Sequence, residues 1–257
     1  YNIMIYIFGN WKMNLNGVSA PRLAELIKNN IGFVGKGVQI ALFPPNILMS
    51  PVRNSLGDPL SAPNISLGAQ NVHWEDAGSY TGETSVSMLE GLCEYVLVGH
   101  SERRECFGEN NAKVNRKIRR IIQHDLIPVI CVGEQSSGEE SHVWEVELNA
   151  QVTSALYGCD PDKRYIFAYE PKMSIGTGYA LPPSTVVARI EFIKSKVDVI
   201  LGRGSAAPVP VLYGGSVNAL NAEAYLGEPM IDGLLIGGAS LQYSQFCQII
   251  RLANAAG

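Results

Sequence analysis

Eight short apolar runs punctuate the chain at 3–8, 38–43, 65–69, 95–98, 127–132, 165–168, 209–213 and 231–236, with amphipathic segments between them. The runs are rich in Ile, Val, Leu and Tyr, and most lack strict alternation. Strands buried on both faces read this way, as in a parallel sheet. Leu23, Leu26, Ile27 and Ile31 recur at helical spacing after Ser19-Ala20-Pro21, a start signal with a cap and an early proline. Val114, Ile118, Ile121 and Ile122 form one face of a second helix. Its other face carries Lys113, Arg116, Lys117, Arg119 and Arg120, which reads as a solvated surface. Phe246, Ile249, Ile250 and Ala253 make a last amphipathic helix. Eight strands, each followed by a helix, predict an α/β fold: one (β/α)8 barrel domain of eight parallel strands spanning 1–257. A doubly wound open sheet fits the same pattern.

Composition narrows the function classes. Hydrophobic residues make up 46% of the 257, enough for a large core without disulfide or metal staples. The 24 acidic and 20 basic residues give a net charge of −4, which argues against a broad nucleic-acid surface. No apolar run approaches the ~18 residues of a membrane span. The first ten residues are apolar but lack a basic leader and run directly into Trp11-Lys12, so they read as a strand, not a signal peptide. Cys93, Cys106, Cys131, Cys159 and Cys247 are odd in number and scattered, the usage of a reducing cytoplasm. No histidine–cysteine spacing suggests a metal. Gly202-Arg203-Gly204-Ser205-Ala206-Ala207 half-matches a dinucleotide fingerprint but precedes a strand, so it is set aside and no cofactor is expected.

In either fold, chemistry collects at the C-terminal ends of parallel strands. Asn10 and Lys12 follow the first run, and His100, Ser101 and Glu102 the fourth. Cys131 lies at the end of the fifth and Glu170 after the sixth. Gly214-Gly215-Ser216 follows the seventh and Gly237-Gly238 the eighth. A lysine, a histidine and a carboxylate at three strand ends converge only in a barrel. Glycines after the last two strands suit a backbone that approaches an anion closely.

Several segments, in order along the whole chain, resemble the triosephosphate isomerases. They are Gly9-Asn10-Trp11-Lys12-Met13-Asn14, Gly68-Ala69-Gln70-Asn71, Tyr80-Thr81-Gly82-Glu83 and Val98-Gly99-His100-Ser101-Glu102-Arg103-Arg104. Phe107-Gly108-Glu109, Ala168-Tyr169-Glu170-Pro171 and Ile175-Gly176-Thr177-Gly178 continue the series. Tyr213-Gly214-Gly215-Ser216-Val217-Asn218 and Gly237-Gly238-Ala239-Ser240-Leu241 complete it. The resemblance implies a TIM barrel that interconverts dihydroxyacetone phosphate and glyceraldehyde 3-phosphate through an enediolate.

It further implies that Glu170 is the base, with Ile175 and Leu235 as the apolar clamp that raises its basicity. His100 would be the neutral electrophile, at the start of a helix capped by Ser101. Lys12 would neutralise the phosphate and the developing enediolate charge, and Asn10 would bind the oxyanion and hold that lysine. Glu102 pairs with the lysine. Backbone N–H groups of Gly176, Ser216, Gly237 and Gly238 would cradle the phosphate. Cys131 is carried over as packing near the base, because nothing beside it in sequence activates it as a nucleophile. Thr81 matches the loop tip that the family inserts into its partner, which implies a homodimer. His73, His124 and His142 read as structural.

The lid departs from the family. Its first hinge reads Pro171-Lys172-Met173-Ser174 where the family has an aromatic after Pro-x, and its second reads Tyr179-Ala180-Leu181. The missing aromatic would leave Tyr169 and Glu134 without their partner and reduce turnover. Three other readings fit some of these residues. One is an isomerase of a four-carbon ketose phosphate, and another a non-catalytic phosphate-binding barrel. The third is a serine hydrolase, in which Gly99-His100-Ser101-Glu102-Arg103 half-matches GxSxG but lacks the closing glycine.

Overall fold

The structure is a computed structural model, and it describes residues 4–57, 65–135, 142–174, 178–203 and 208–256. Eight strands, all parallel, close into a barrel in sequence order. They are β1 Ile5–Asn10, β2 Val38–Phe43, β3 Ile65–Ala69, β4 Tyr95–Val98, β5 Ile127–Val132, β6 Ile166–Tyr169, β7 Val211–Tyr213 and β8 Gly233–Ile236. β1 pairs with β2 along its whole length, Ile5 with Val38 through Asn10 with Phe43. It pairs with β8 from Tyr6–Gly233 to Gly9–Ile236, which closes the ring. The closed barrel, not the open sheet, is the observed architecture.

The missing alternation has a structural cause. Successive residues of a strand point to opposite faces, and here both faces are covered. Phe8, Phe43, Tyr95, Leu97, Val129, Cys131, Ala168, Leu212 and Leu235 pack together inside the barrel. Their neighbours Ile7, Leu42, Val96, Val98, Ile130, Val132 and Phe167 pack outward against the helices.

Eight α-helices surround the strands: α1 Ser19–Asn30, α2 Met49–Leu56, α3 Ser101–Phe107, α4 Asn111–Gln123, α5 Val143–Leu156, α6 Pro183–Leu201, α7 Ala222–Leu226 and α8 Tyr243–Ala256. They do not follow the strands one for one. Among the described residues β4 is followed by two helices, whereas the 70–94 connection from β3 to β4 holds one 3-10 turn, Ser87–Leu89. Three local expectations are corrected. The start of α1 is held by Asn16, whose Oδ1 accepts the Val18 and Ser19 N–H groups, and not by Ser19 as cap. Leu26 is exposed, unlike Leu23 and Ile27. Lys117 is not on a solvated face: it is buried in α4 beside Glu109. No helix among the described residues is long and apolar enough to cross a membrane.

Candidate active site

The C-terminal strand ends surround a cavity of about 590 Å³ lined by Asn10, Lys12, His100, Glu170, Ser216, Leu235, Gly237 and Gly238, among others. Ile175, Gly176 and Thr177 lie outside the described residues. Thr81 is not in the cavity; it sits exposed on the 70–94 connection.

Lys12 occupies an unusual backbone position, φ +50°, which costs a non-glycine residue energy. Three side chains fix the backbone around it. The Asn10 Oδ1 accepts the Lys12 N–H at 3.0 Å. Gln70 Nε2 donates at 2.8 Å both to the Lys12 carbonyl and to the Phe43 carbonyl of β2. Asn14 Nδ2 donates to the Trp11 carbonyl at 2.7 Å. The lysine ammonium then meets Glu102 Oε1 at 2.6 Å. A Cβ at Gly237 would stand 3.5 Å from Lys12 Cε, and one at Gly238 would point into open space among the described residues. The bareness of Gly238 leaves its backbone uncovered in the cavity that the Lys12 cation also lines, an arrangement that suits an anion.

His100 ends the β4 connection and caps α3 itself. Its Nδ1 accepts the Glu102 N–H at 3.3 Å. With Nδ1 turned to the helix, Nε2 is the ring nitrogen that faces Glu170 in the cavity. The expected cap, Ser101, is instead the first helical residue, and its hydroxyl has no hydrogen-bond partner among the described residues. A serine nucleophile would need an adjacent base, so the hydrolase reading loses its footing. Behind His100, the Gly99 N–H donates to Glu109 Oε1 at 2.9 Å. Glu109 also receives Arg103 Nε at 2.7 Å and Lys117 Nζ at 2.6 Å. Burial alone would raise the Glu109 carboxyl, but the charge and hydrogen bond of Lys117, with Arg103 and Gly99, hold it below its ordinary value. Gly99 has φ +68°, and a Cβ there would meet the Arg104 guanidinium at 2.8 Å. Arg104 itself donates to the Gly99 carbonyl at 2.7 Å and so closes the turn from the other side.

Glu170 is 3% exposed at the end of β6. One carboxylate oxygen lies 3.2 Å from His100 Nε2, and the other accepts the Ser101 N–H at 3.2 Å. The carboxylate is therefore parked on its neighbours, and a ligand must displace these contacts to engage it. The surroundings of Glu170 are close-packed. A Cβ at Gly133 would fall 1.9 Å from the Glu170 carbonyl oxygen, and one at Gly214 would fall 2.8 Å from Glu170 Cγ. Buried Gln151 fastens Gly133 by both its N–H and its carbonyl, each at 2.9 Å. Cys131 is fully enclosed, and burial, then the Glu170 charge, push its thiol well up. A thiol so raised is a poor nucleophile at neutral pH. Leu235 lines the cavity from β8.

The hinge residues also have partners. Tyr169 donates its hydroxyl to Glu134 Oε1 at 2.8 Å, so neither is left alone by the missing aromatic, contrary to expectation. Leu181 is buried, with its N–H on the Tyr213 hydroxyl at 3.2 Å and its carbonyl receiving the Tyr225 hydroxyl at 2.6 Å. Ser174 is fully buried, and Lys172 pairs with Glu105 at 3.2 Å.

Comparison with known proteins decides what this cavity belongs to. A family model described as triosephosphate isomerase matches residues 5–253. The chain belongs to the triosephosphate isomerase family. It is 41% identical over 249 residues to a triosephosphate isomerase of Dehalococcoides mccartyi, covering 97% of each chain. It is 41% identical over 250 residues to that of Legionella pneumophila, covering 96% of this chain and 98% of the relative. It is 38% identical over 252 residues to that of Chlorobium phaeobacteroides, covering 98% of each. This family member is an isomerase of triose phosphates, and the four-carbon and non-catalytic readings give way to it.

Sequence reading missed the supports. Gln70, Arg104, Glu109, Lys117, Gly133 and Gln151 are not among the site residues to which the sequence points. Their signal was a polar or glycine residue where the pattern calls for an apolar one, as with Lys117 and Gln151 on buried helix faces.

Proposed function

We propose that Glu170 removes the proton from the carbon next to the substrate carbonyl and returns it to the neighbouring carbon. His100, neutral, donates its Nε2 proton to the carbonyl oxygen and carries it between the two oxygens. Lys12 offsets the charge of the phosphate and of the enediolate, with Asn10 donating to the oxyanion. Backbone N–H groups of Gly176, Ser216, Gly237 and Gly238 cradle the phosphate, and Ile175 with Leu235 shields the base from water. The observation that carries this reading is the facing pair of Glu170 Oε1 and His100 Nε2, 3.2 Å apart in the cavity that Lys12 also lines. A substrate that separates them meets a base on one side and a proton donor on the other.

Isomerisation of glyceraldehyde 3-phosphate, coupled to NADH oxidation by glycerol-3-phosphate dehydrogenase, tests the roles. Glu170→Gln is expected to lower kcat by about 10³-fold with the fold intact. Activity within tenfold of the unsubstituted protein would overturn the assignment.

We also infer that the whole chain works as one barrel domain, in the cytoplasm, as a homodimer. Thr81 and the adjacent Tyr80 are exposed on the 70–94 connection. A second cavity of about 300 Å³, lined by Lys12, Met13, Asn46, Gln70, Glu102 and Phe107, opens beside the first and suits a loop of the other copy. Met13 is 94% and Phe107 66% exposed around it, a poor surface for a monomer. Light scattering at assay concentration that finds a stable, fully active monomer would overturn the dimer. The cytoplasmic reading is supported by five cysteines without a disulfide among the described residues; a thiol titration of the isolated protein that finds disulfides would count against it.

A further inference from the structure

Glu134 is a buried carboxylate, 6% exposed, just past the end of β5, the strand that pairs with β6 beside Glu170. A buried carboxylate without a cation is costly. The cation within ion-pair distance of it, among the described residues, is Arg189 of α6, with Nε 3.8 Å from Oε1. The Arg189 guanidinium lies over the indole of Trp144 in α5, 3.5 Å from the ring centroid. Trp144 in turn meets Phe192 of α6 edge to face at 5.1 Å. This aromatic shelf fixes the plane of the guanidinium.

Glu134 touches both flanks of the candidate base. Its carboxylate accepts the Tyr169 hydroxyl at 2.8 Å, and its backbone carbonyl accepts the Lys172 N–H at 3.2 Å. Glu170 lies between those two residues in the chain. Burial, and then the Glu134 charge, push the Tyr169 phenol far up, so it stays a donor at any ordinary pH. Neither Glu134 Oε2 nor Arg189 Nε has a hydrogen-bond partner among the described residues. The pair is held by charge and by the shelf, not by a directed bond.

We propose that Arg189 is a positioning residue for Glu170: it offsets the buried Glu134 carboxylate, and Glu134 so paired holds residues 169–172 so that the Glu170 carboxylate faces the cavity. The proposal rests on Glu170 being the base. Removing the cation leaves a buried carboxylate without its counter-charge, which loosens the segment on which the base stands.

The test uses the full-length isomerase with glyceraldehyde 3-phosphate, at a temperature where circular dichroism finds each variant folded. Arg189→Met is expected to lower kcat about tenfold with KM within about twofold, because orientation of the base matters more to the transition state than to binding. Arg189→Lys should recover most of the loss. A neutral amide at 134 needs no cation, so adding Arg189→Met to Glu134→Gln should leave kcat within about twofold of Glu134→Gln alone. Unchanged kcat in Arg189→Met, or losses that multiply in the double variant, would overturn the proposal. Should Arg189→Met not fold, Arg189→Gln in the Glu134→Gln background carries the same comparison, and a tenfold loss there overturns it. Failure of the underlying reading is distinguishable, since Glu170→Gln would then retain activity.

Discussion

His100 and Glu170 face each other across one cavity, yet the chain holds them by opposite means. His100 is fixed by its own neighbourhood. Its ring accepts the N–H two residues on, Gly99 before it is fastened by Glu109 and Arg104, and Glu109 is fastened by Arg103 and Lys117. All of that lies in one stretch of sequence, and it is built from charges. Glu170 is fixed from far away. Gly133, fastened by Gln151 of α5, abuts it just past β5, Glu134 bonds both its flanks, and Gly214 closes on it just past β7. The next supports outward are phenols: Tyr213 and Tyr225 grip Leu181. Burial raises both hydroxyls, so neither ionises in the ordinary range. The proposed electrophile is thus a local construction of charged groups, and the proposed base a tertiary one resting mainly on neutral contacts.

The largest expected effect that follows concerns stability. Lys117 and Glu109 have side chains 5% and 2% exposed, so removing one leaves a buried charge short of a partner. Lys117→Met should cost about 3 kcal/mol, the low end for a broken buried pair, since Arg103 still faces Glu109. Tyr225→Phe, which removes one neutral hydrogen bond to the Leu181 carbonyl, should cost about 1 kcal/mol. Urea unfolding at one fixed protein concentration compares them. Equal costs, or the reverse order, would break the contrast between a charged side and a neutral side.

The same contrast explains what was legible in the sequence. The barrel could be read because a strand covered on both faces has a distinctive lack of alternation, and β2 to β5 were located residue for residue. The residues aimed at the cavity could be read because each sits at a strand end inside a distinctive local string, such as Val98-Gly99-His100-Ser101 or Ala168-Tyr169-Glu170-Pro171. Their supports could be read only where they are close in the chain. Glu109 stood within a quoted motif, but its partner Lys117 looked like one more base on a charged helix face until α4 turned it inward. Gln151 carries only the weak signal of a polar residue on a buried helix face, and what Arg189 meets is not legible locally. A glutamine in α5 that bonds both ends of Gly133, and an arginine in α6 that faces a carboxylate of the β5 connection, exist as features only after closure of the barrel brings those helices together. Ser101 failed for a different reason. Serine before a helix is normally a cap, but His100 accepts the Glu102 N–H and takes the position one residue earlier.

The smallest expected effect sharpens the account of the base side. The family's aromatic hinge is methionine here, and its loss was expected to strand Tyr169 and Glu134 and slow turnover. Both have partners in the structure, so that reason for slow turnover no longer stands. Met173 is 37% exposed, at the surface of the hinge. Surface substitutions away from strained or buried features usually stay within about 0.5 kcal/mol, or a little over twofold in a rate constant. Met173→Trp should therefore change kcat by no more than about twofold in either direction. A tenfold gain would mean that the base side does lack an aromatic support, and that Arg189 on its Trp144 shelf does not supply the equivalent. A loss of that size would mean that the methionine hinge is matched to the cation-held Glu134 behind it, and that the two cannot be exchanged one at a time.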